Sequence, residues 1–344
     1  MKITIVTHLE KQQNEKSYDK VVDQVAAALR DLGHEACIFG VHDNVGQLID
    51  GLSQRRPDLV FNLMETFGKT QLGAVGVVGL LDLLGVPYTG VGPGEMYLQE
   101  DKAITKKLLA FERIGYPDFA VFSMDADLET GGNLRFPLFV KPLRMDASIG
   151  INGKSLVRTT KELMQRVAAI HKLKDSALVE EFIDGREFFV SVLGNHTPRA
   201  LPPVEIDFSG LPEGAPKVLD AKAKWDKRSP QYKGTKAVFP EDLSEEVKAR
   251  LEQVALNAYR ALRVRDYGRV DLRMAETGEI YVLEVNASCY MEKSAEFAMA
   301  AAKDGIAYEQ LVQSIVDLAM ERQREKAEAH QRAIAMQAEE KTLV

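Results

Sequence analysis

The chain has 344 residues, of which 45% are hydrophobic and 28% charged, and its formal net charge is −7. This length predicts about two or three domains, and the composition is that of a globular protein with a sizeable core. The mild acidity gives no electrostatic reason to bind nucleic acid or an anionic membrane, so neither is expected as a partner. Cys37 and Cys289 provide no disulfide framework, and no stretch has the apolar length of a membrane span. We therefore expect a soluble, cytoplasmic protein.

Alternating strand and helix patterns occupy the first segment, residues 1–97. Ser17 is the expected N-cap of the first helix, and Gly33 is its expected C′ residue. This alternation predicts a parallel, doubly wound sheet. No G-x-G-x-x-G motif follows the first strand, so a dinucleotide site is not indicated. Strands are predicted at 2–7, 35–40, 58–63 and 86–90, and helices at 18–32 and 72–84.

Two further units are predicted beyond this point. Residues 98–186 are expected to form a small α+β lid with a helix at 102–114 and strands at 136–142 and 177–182. Residues 187–320 begin with a strand and contain a long polar segment, 207–236. Because that segment has no strong periodicity, it is expected to be either a functional loop or disordered. A helix capped by Ser244 follows it, and the charged tail, residues 321–344, is expected to be a solvated helix or a frayed end.

A predicted hairpin near the C-terminal end carries the strongest local chemistry. Its strands are residues 269–274 and 280–286. If residues 277–278 form a two-residue loop, Asp271 lies opposite Glu284, whereas a longer loop would shift that register. Directly opposed carboxylates repel each other, so another group must compensate their charge.

Two kinds of compensation remain open from the pattern alone. Arg269 and Arg273 could form ordinary surface ion pairs with the two acids. Alternatively, Asp271, Glu284 and the amide of Asn286 form an all-oxygen set suited to Mg²⁺ held together with water and nucleotide phosphates. Taken by itself, the pattern slightly favours the ion pairs.

Several isolated charges elsewhere are also candidates for nucleotide binding. Lys141 ends a predicted strand and could direct its charge at a phosphate, and Lys224 in the long polar segment could close over a terminal phosphate. Glu180 and Glu181 end another strand, and Glu187 follows a tight turn, where acids can bind an adenine amino group or ribose hydroxyls. Considered singly, each is more simply explained as a solvated charge.

Six segments, taken in order, resemble the ATP-grasp superfamily and, within it, the D-alanine–D-alanine ligase family. Any one of them is weak evidence, but their order and spacing extend the resemblance over roughly residues 1–318. The resemblance implies an α/β fold with an α+β lid, in which a parallel, doubly wound N-terminal domain precedes two ATP-grasp subdomains. The segments are LLDLLGVPYTG (80–90), DKAITKKLL (101–109), FPLFVKP (136–142), ALVEEFIDGREF (177–188), GRVDLR (268–273) and IYVLEVNAS (280–288).

The resemblance also implies roles for individual residues in binding ATP. The positions that match are Lys102 and Lys141 for the α- and β-phosphates, Lys224 for the γ-phosphate, Glu180, Glu181, Phe182 and Ile183 for adenine, and Glu187 for ribose.

Metal binding and catalysis are implied for the hairpin. Asp271, Glu284 and Asn286 would hold two Mg²⁺ ions, and Arg269 would stabilise the oxyanion of a tetrahedral intermediate, with Lys224 assisting at the phosphate. Six ordered matches are not easily separate accidents, so the metal interpretation of the hairpin is now preferred to surface ion pairs.

The sequence departs from the family in the amino-acid pocket. Ala147 stands where the family has a serine, and Trp225 stands where it has a tyrosine beside the loop lysine. An indole is a hydrogen-bond donor only, so it cannot replace a phenolic hydroxyl. The family pattern Asn-x-Ser-Pro-Gly-Met-Thr reads Asn-Ala-Ser-Cys-Tyr-Met-Glu at 286–292, and the serine expected to hold an acceptor carboxylate is missing after it. Candidate substrate residues are Glu15, Ser148, Trp225, Ser288, Tyr290 and Lys293.

The preferred hypothesis is an ATP-dependent ligase that joins a carboxylate to an amine through an acyl-phosphate, with altered substrates. Changes in hydrogen-bonding capacity at a buried pocket usually change which substrate is accepted. The alternatives are a true D-alanine–D-alanine ligase of cell-wall synthesis, an ATP-binding regulatory protein without turnover, and a kinase that stops at phosphoryl transfer. Small-molecule carboxylate and amine substrates are the expected partners. Because members of the family are commonly homodimers, a homodimer is expected.

Overall fold

The computed structural model describes residues 1–11, 16–70, 72–124, 129–130, 133–145 and 148–342. Its strands are β1 (Lys2–His8), β2 (Glu10–Lys11), β3 (Lys16–Ser17), β4 (Glu35–Val41), β5 (Leu59–Leu63), β6 (Phe119–Phe122), β7 (Glu129–Thr130), β8 (Leu138–Pro142), β9 (Leu156–Val157), β10 (Ala177–Glu181), β11 (Gly185–Leu193), β12 (Arg199–Ala200), β13 (Val204–Asp207), β14 (Lys236–Val238), β15 (Tyr267–Ala275) and β16 (Ile280–Asn286).

Helices connect and cover these strands. They are α1 (Lys20–Asp31), α2 (Val45–Arg55), α3 (Gly73–Leu84), α4 (Pro93–Glu100), α5 (Lys102–Phe111), α6 (Thr160–His171), α7 (Ala221–Trp225), α8 (Pro230–Gly234), α9 (Glu245–Ala261), α10 (Glu296–Lys303) and α11 (Tyr308–Thr342). Among the described residues, no helix is both long enough and apolar enough to cross a membrane.

The first sheet is parallel, with β1 between β4 and β5. This arrangement confirms the parallel sheet predicted from the alternating pattern. Helix α2, between β4 and β5, was not indicated by that pattern. The strand predicted at 86–90 is wrong, because only Tyr88 forms an isolated bridge to Val60. Pro87 has no N–H to donate to a ladder, and Gly90 turns the chain away at a φ of 87°.

Two helix boundaries differ from the predicted ones. The N-cap residue of α1 is Asp19 rather than the predicted Ser17, because Asp19 accepts from the backbone N–H two residues later at 2.9 Å. Gly33 follows α1 at a φ of 81°, as predicted for a C′ glycine. Helix α5 ends at Phe111 rather than at residue 114, because Arg113 adopts a left-handed conformation with a φ of 58°.

The second sheet is antiparallel around β6, β10 and β8, with β7 and β9 at its edges. Helix α6 packs against it, and its Val167 and Ile170 join a buried cluster with Val140 and Val179. The sheet and helix match the small α+β unit predicted for this part of the chain, although α6 itself was not predicted.

The third sheet has the order β14-β13-β11-β15-β16, with β12 beside β11. Helix α9 covers it with a stripe of buried residues that includes Leu251, Ala255 and Tyr259. Ser244 caps α9 as predicted, since its Oγ accepts from the N–H of Val247 at 3.3 Å.

The hairpin β15–β16 has the predicted pairing of Asp271 with Glu284, but its loop differs from the predicted one. Its loop is longer than two residues, because the N–H of Ala275 bonds to the carbonyl of Glu279 and Gly278 has a φ of 85°. A longer loop alone would displace the carboxylates, but a β-bulge beside Asp271 restores the pairing. Asp271 therefore lies opposite Glu284 despite the incorrect loop prediction.

The polar segment 207–236 is structured rather than featureless. It contains α7 and α8 and leads into β14, which pairs with β13. Asp220 and Ser229 cap the two short helices with hydrogen bonds of 2.9 and 3.0 Å. Local capping, which a search for long periodicity does not detect, organises this segment.

The charged tail continues α11 as one helix of 35 residues. Its Arg322 donates through Nε and Nη2 to the fully buried carboxylate of Asp266, at 2.8 and 2.7 Å. Arg322 also donates to the carbonyl of Tyr88 at 2.9 Å, and the N–H of Gly90 donates to Asp266 at 2.7 Å. This clamp ties α11 and the third sheet to the N-terminal segment.

Glu292 forms a second tie between distant segments. It accepts from the side chain of Gln24 at 3.0 Å and lies 3.2 Å from the ammonium of Lys20, both on α1. Burial would raise its pKa, but hydrogen bonds from Ser294, Gln24 and Lys20 outweigh burial and lower the pKa to about 2.

Substituting Arg322 with alanine should lower the free energy of unfolding by about 3 kcal/mol, because the buried Asp266 would lose its partner. Urea denaturation followed by circular dichroism measures this change. Arg324→Ala on the exposed side of the same helix should change it by less than about 0.5 kcal/mol. Equal effects of the two substitutions would contradict the clamp.

The contribution of Glu292 should depend on pH. Its folded pKa of about 2 lies below the ordinary value of 4.5, so its stabilisation is complete above pH 4.5 and is lost as the pH falls towards 2. The stability difference between the natural protein and Glu292→Gln should therefore shrink as urea denaturation is repeated from pH 7 to pH 3. Glu241→Gln, at an exposed position, is the control and should show no such trend.

Candidate active site

A cleft between the second and third sheets collects most of the predicted site residues. It encloses about 940 Å³, counting the space open to solvent. Additional lining comes from apolar side chains such as Phe139, Ile151 and Leu283, which were not predicted. The predicted residues that line it are Lys102, Lys141, Ser148, Glu180, Glu181, Phe182, Ile183, Glu187, Lys224, Arg269, Asp271, Glu284 and Asn286.

Two lysines form ion pairs with the carboxylate of Glu180, near the C-terminal end of β10. Lys106 Nζ lies 2.7 Å from one carboxylate oxygen, and Lys141 Nζ lies 3.0 Å from the other. Burial would raise the pKa of Glu180, but the two ammonium groups outweigh it and hold the pKa below its ordinary value. Lys106 was missed from the sequence, although a lysine one helical turn after Lys102 could have signalled it.

Lys102 occupies an unfavourable place for a cation. It is the first residue of α5, where the helix dipole repels positive charge, and it is only 5% exposed. Asp101 caps the helix and thereby fixes its start. The ammonium of Lys102 donates to the carbonyl of Met145 at 3.0 Å and lies 3.3 Å from Glu284. Glu284 therefore provides the charge that offsets this buried lysine.

The opposed carboxylates of the hairpin experience different surroundings. Both oxygens of Asp271 accept from Arg269, at 2.7 and 3.0 Å. Burial is the larger influence on Asp271 and raises its pKa. Burial acts in the same direction on Glu284, but Lys102, Lys141 and Lys224 outweigh it and lower its pKa to about 2.

Glu187 and Arg273 form a second buried ion pair, with Nη1 of Arg273 donating to the carboxylate at 2.5 Å. Arg273 also donates to the carbonyl of Lys217 at 2.7 Å. The sequence had offered Arg273 as a counter-ion for the hairpin acids. The structure gives it Glu187 instead, because these two residues are direct partners across β11 and β15.

The hairpin residues fit a hard divalent cation. Asp271, Glu284 and Asn286 all line one cleft, so two carboxylates and one side-chain amide carbonyl are available there as oxygen donors. No group of three or more His, Cys, Asp or Glu side chains suited to a metal occurs in the described part of the chain. Two carboxylates and one amide therefore match an ion that takes its remaining oxygens from water and phosphate.

The segment 207–236 closes one side of the cleft. Leu219 and Lys224 both line the cleft, and Ser148 Oγ donates to the carbonyl of Leu219 at 3.2 Å. Trp225 does not line it, and 63% of this residue is exposed. Neighbouring residues of a helix point in directions about 100° apart, so Lys224 and Trp225 cannot both face the cleft.

The remaining candidate substrate residues lie outside the cleft lining. Ser288 Oγ accepts from Gln99 at 3.0 Å, and the hydroxyl of Tyr290 donates to Asp19 at 2.7 Å. Lys293 lies 3.0 Å from Glu309 and stacks over a tyrosine ring. Glu15, together with Asp146 and Ala147 of the family's serine loop, lies outside the described residues.

Cys289 is not suited to nucleophilic catalysis. Its side chain is buried, and burial raises the pKa of the thiol to about 12. The reactive thiolate is therefore not populated near neutral pH.

Comparison with known proteins identifies relatives of this chain. A family model described as the D-ala D-ala ligase C-terminus matches residues 108–317. An uncharacterised protein of Sinorhizobium fredii is 33% identical over 310 residues, covering 88% of each chain. The D-alanine–D-alanine ligase of Aquifex aeolicus is 31% identical over 294 residues, covering 85% of this chain and 92% of that protein.

Solved structures agree with these matches. The D-alanine–D-alanine ligase of Bacillus anthracis in complex with ATP has a TM-score of 0.73 at 25% identity, covering 95% of this chain and 99% of that one. The fold, the cleft and the matched sequence therefore lead to one assignment. This chain belongs to the D-alanine–D-alanine ligase family of the ATP-grasp fold and is an ATP-dependent C–N ligase.

Proposed function

We propose that this ligase activates a small carboxylate as an acyl-phosphate and transfers the acyl group to an amine, with a substrate pair that differs from two D-alanines. One observation supports a substrate pair other than two D-alanines. The charged residues expected to bind ATP line one cleft, whereas Ser288, Tyr290 and Lys293 are bonded to other parts of the protein.

In this proposal different charged residues of the cleft bind different parts of ATP. Lys102, Lys141 and Lys224 bind the phosphates, where positive charge neutralises the charge that develops during transfer. Glu180 and the backbone of Phe182 and Ile183 bind adenine, with Glu181 beside them. Glu187, oriented by Arg273, binds ribose.

Asp271, Glu284 and Asn286 would hold Mg²⁺, two ions in our proposal, which would neutralise phosphate charge when bound. Arg269, buried and held by both oxygens of Asp271, would stabilise the oxyanion of the tetrahedral intermediate. A fixed guanidinium needs no reorganisation as that charge forms. The segment that carries Lys224 covers the cleft and would keep water from the acyl-phosphate.

A carboxylate needs this activation because it is a poor electrophile. The amine nitrogen attacks the acyl carbon, the bond to phosphate oxygen breaks, and phosphate leaves with the electron pair. The products are an amide or peptide bond, ADP and phosphate.

A true D-alanine–D-alanine ligase is the second candidate. It is favoured by the relatives that carry this name, such as that of Aquifex aeolicus at 31% identity. Small-molecule substrates, a cytoplasmic location and a homodimer remain part of the proposal.

Hydroxylamine traps acyl-phosphates as hydroxamates, so it tests the first half-reaction without a natural acceptor. With Mg-ATP and a panel of D- and L-amino acids and simple carboxylates, at least one should give hydroxamate and ADP. Glu284→Gln should lower that rate about 100-fold or more, because the site would hold less tightly the Mg²⁺ that neutralises the phosphates. Gln253→Glu on the exposed face of α9 is the control.

The outcomes separate the hypotheses. Phosphate release with D-alanine alone, at the highest rate of the panel, would identify a D-alanine–D-alanine ligase and overturn the altered pair. ADP formation without hydroxamate or amine dependence would indicate a kinase, and nucleotide binding without turnover would indicate a regulatory protein.

Lys106 should act as a positioning residue for the nucleotide. In Lys106→Met the carboxylate of Glu180 would keep Lys141 as its one ion-pair partner. Burial would then raise the pKa of Glu180, and the carboxylate would be held less firmly in its present orientation. The KM for ATP should rise about tenfold, with a smaller change in kcat. Lys107→Met, at the exposed neighbouring position, should leave both unchanged. Lys106→Arg should restore part of the affinity, and an unchanged KM in Lys106→Met would refute this role.

A further inference from the structure

One acid that contacts Arg269 has no role in the nucleotide site proposed above. Glu296 is the first residue of α10, and its Oε2 lies 3.5 Å from Nη1 of Arg269. Its side chain is 26% exposed, so a ligand can reach it. Glu296 therefore places a negative charge directly beside the guanidinium proposed to stabilise the oxyanion.

The position of Glu296 relative to the reacting atoms is fixed by how Arg269 is held. Nε and Nη2 of Arg269 donate to Asp271, which leaves the Nη1 side facing Glu296. The guanidinium also lies over the ring of Phe189, 4.3 Å from its centroid. Because these contacts fix its orientation, a group that approaches Arg269 from the Nη1 side lies close to the carboxylate of Glu296.

Arg269 is the cation recorded beside Glu296 among the described residues, and it is shared with Asp271. Two lysines of the same part of the fold pair with other acids: Lys20 lies 3.2 Å from Glu292, and Lys293 lies 3.0 Å from Glu309. One guanidinium therefore faces two carboxylates, which leaves a net negative charge beside it. An α-amino acid acceptor carries its carboxylate one carbon from the attacking nitrogen, and beside Arg269 that carboxylate would be repelled by this net negative charge.

Resting on the ligase reaction proposed above, we infer that Glu296 selects an acceptor amine without a free carboxylate next to its nitrogen. The class is an amine with a neutral or cationic neighbouring group, such as an amino acid amide or a diamine. The bonds made and broken are those of the ligase reaction. The attacking nitrogen loses one proton to the departing phosphate, and a cationic substituent on the acceptor pairs with Glu296.

Three acceptors that differ at one carbon test this inference: D-alanine, D-alaninamide and (R)-1,2-diaminopropane. The donor is the carboxylate that gives the most hydroxamate with hydroxylamine, and ligated product is measured by mass spectrometry. The natural protein should prefer the amide and the diamine over the amino acid by about tenfold or more in kcat/KM. In Glu296→Gln this preference should fall to within about threefold, mainly through better use of D-alanine.

Glu246→Gln is the matched control, because it also removes an acid from the first turn of a helix, but at an exposed position of α9. It should keep the natural preference. An equal or better rate with D-alanine in the natural protein would overturn the inference while leaving the ligase reaction intact. A parallel fall of hydroxamate formation and ligation in Glu296→Gln would assign Glu296 to the donor and also overturn it. Hydroxamate from no carboxylate would overturn the ligase reaction and this inference together.

Discussion

The opposition of Asp271 and Glu284 across two antiparallel strands is the constraint on which the site depends. Two carboxylates at that spacing repel each other unless positive charge lies nearby. Arg269 binds one of them and Lys102 the other, and these cations belong to different sheet and helix elements. Compensation of both charges therefore requires α5 to lie against the third sheet, where Lys102 and Glu284 both line the cleft.

The same principle extends to the rest of the cleft. Glu180 is buried between two lysines, and Glu187 is buried against Arg273. Buried ion pairs of this kind add little stability, because desolvation offsets their attraction. Their value here is orientation, since each fixes a charged group where a nucleotide would contact it. Apolar packing of α9, α1 and the sheets supplies the stability that these charges do not.

The substrate side is built differently. In the loop after β16, Glu292 accepts a hydrogen bond from α1, and Ser288 accepts one from Gln99 of α4. These polar groups therefore bond to other parts of the protein. The residues proposed to bind nucleotide instead line the cleft. This difference between the two groups of residues is the basis on which a changed substrate pair is proposed.

Sequence alone determined the elements whose signals are local. Parallel strands in the first segment, the Ser244 cap and the Gly33 helix end were all predicted from patterns within a few residues. The family resemblance predicted nucleotide-binding residues from the order of short segments along the chain, and the structure brings those residues to one cleft. Short capped helices in 207–236 were missed, because their signals lie in single Asp and Ser residues rather than in periodicity.

Tertiary structure decided what depends on contacts between distant residues. The bulge beside Asp271 corrected the register that the longer hairpin loop would have shifted, and no local pattern signals such compensation. The pairing of Lys106 with Glu180, of Arg273 with Glu187 and of Glu296 with Arg269 joins residues on different strands and helices. Side-chain charges interact through space, so their partners follow from the packing of sheets rather than from spacing along the chain.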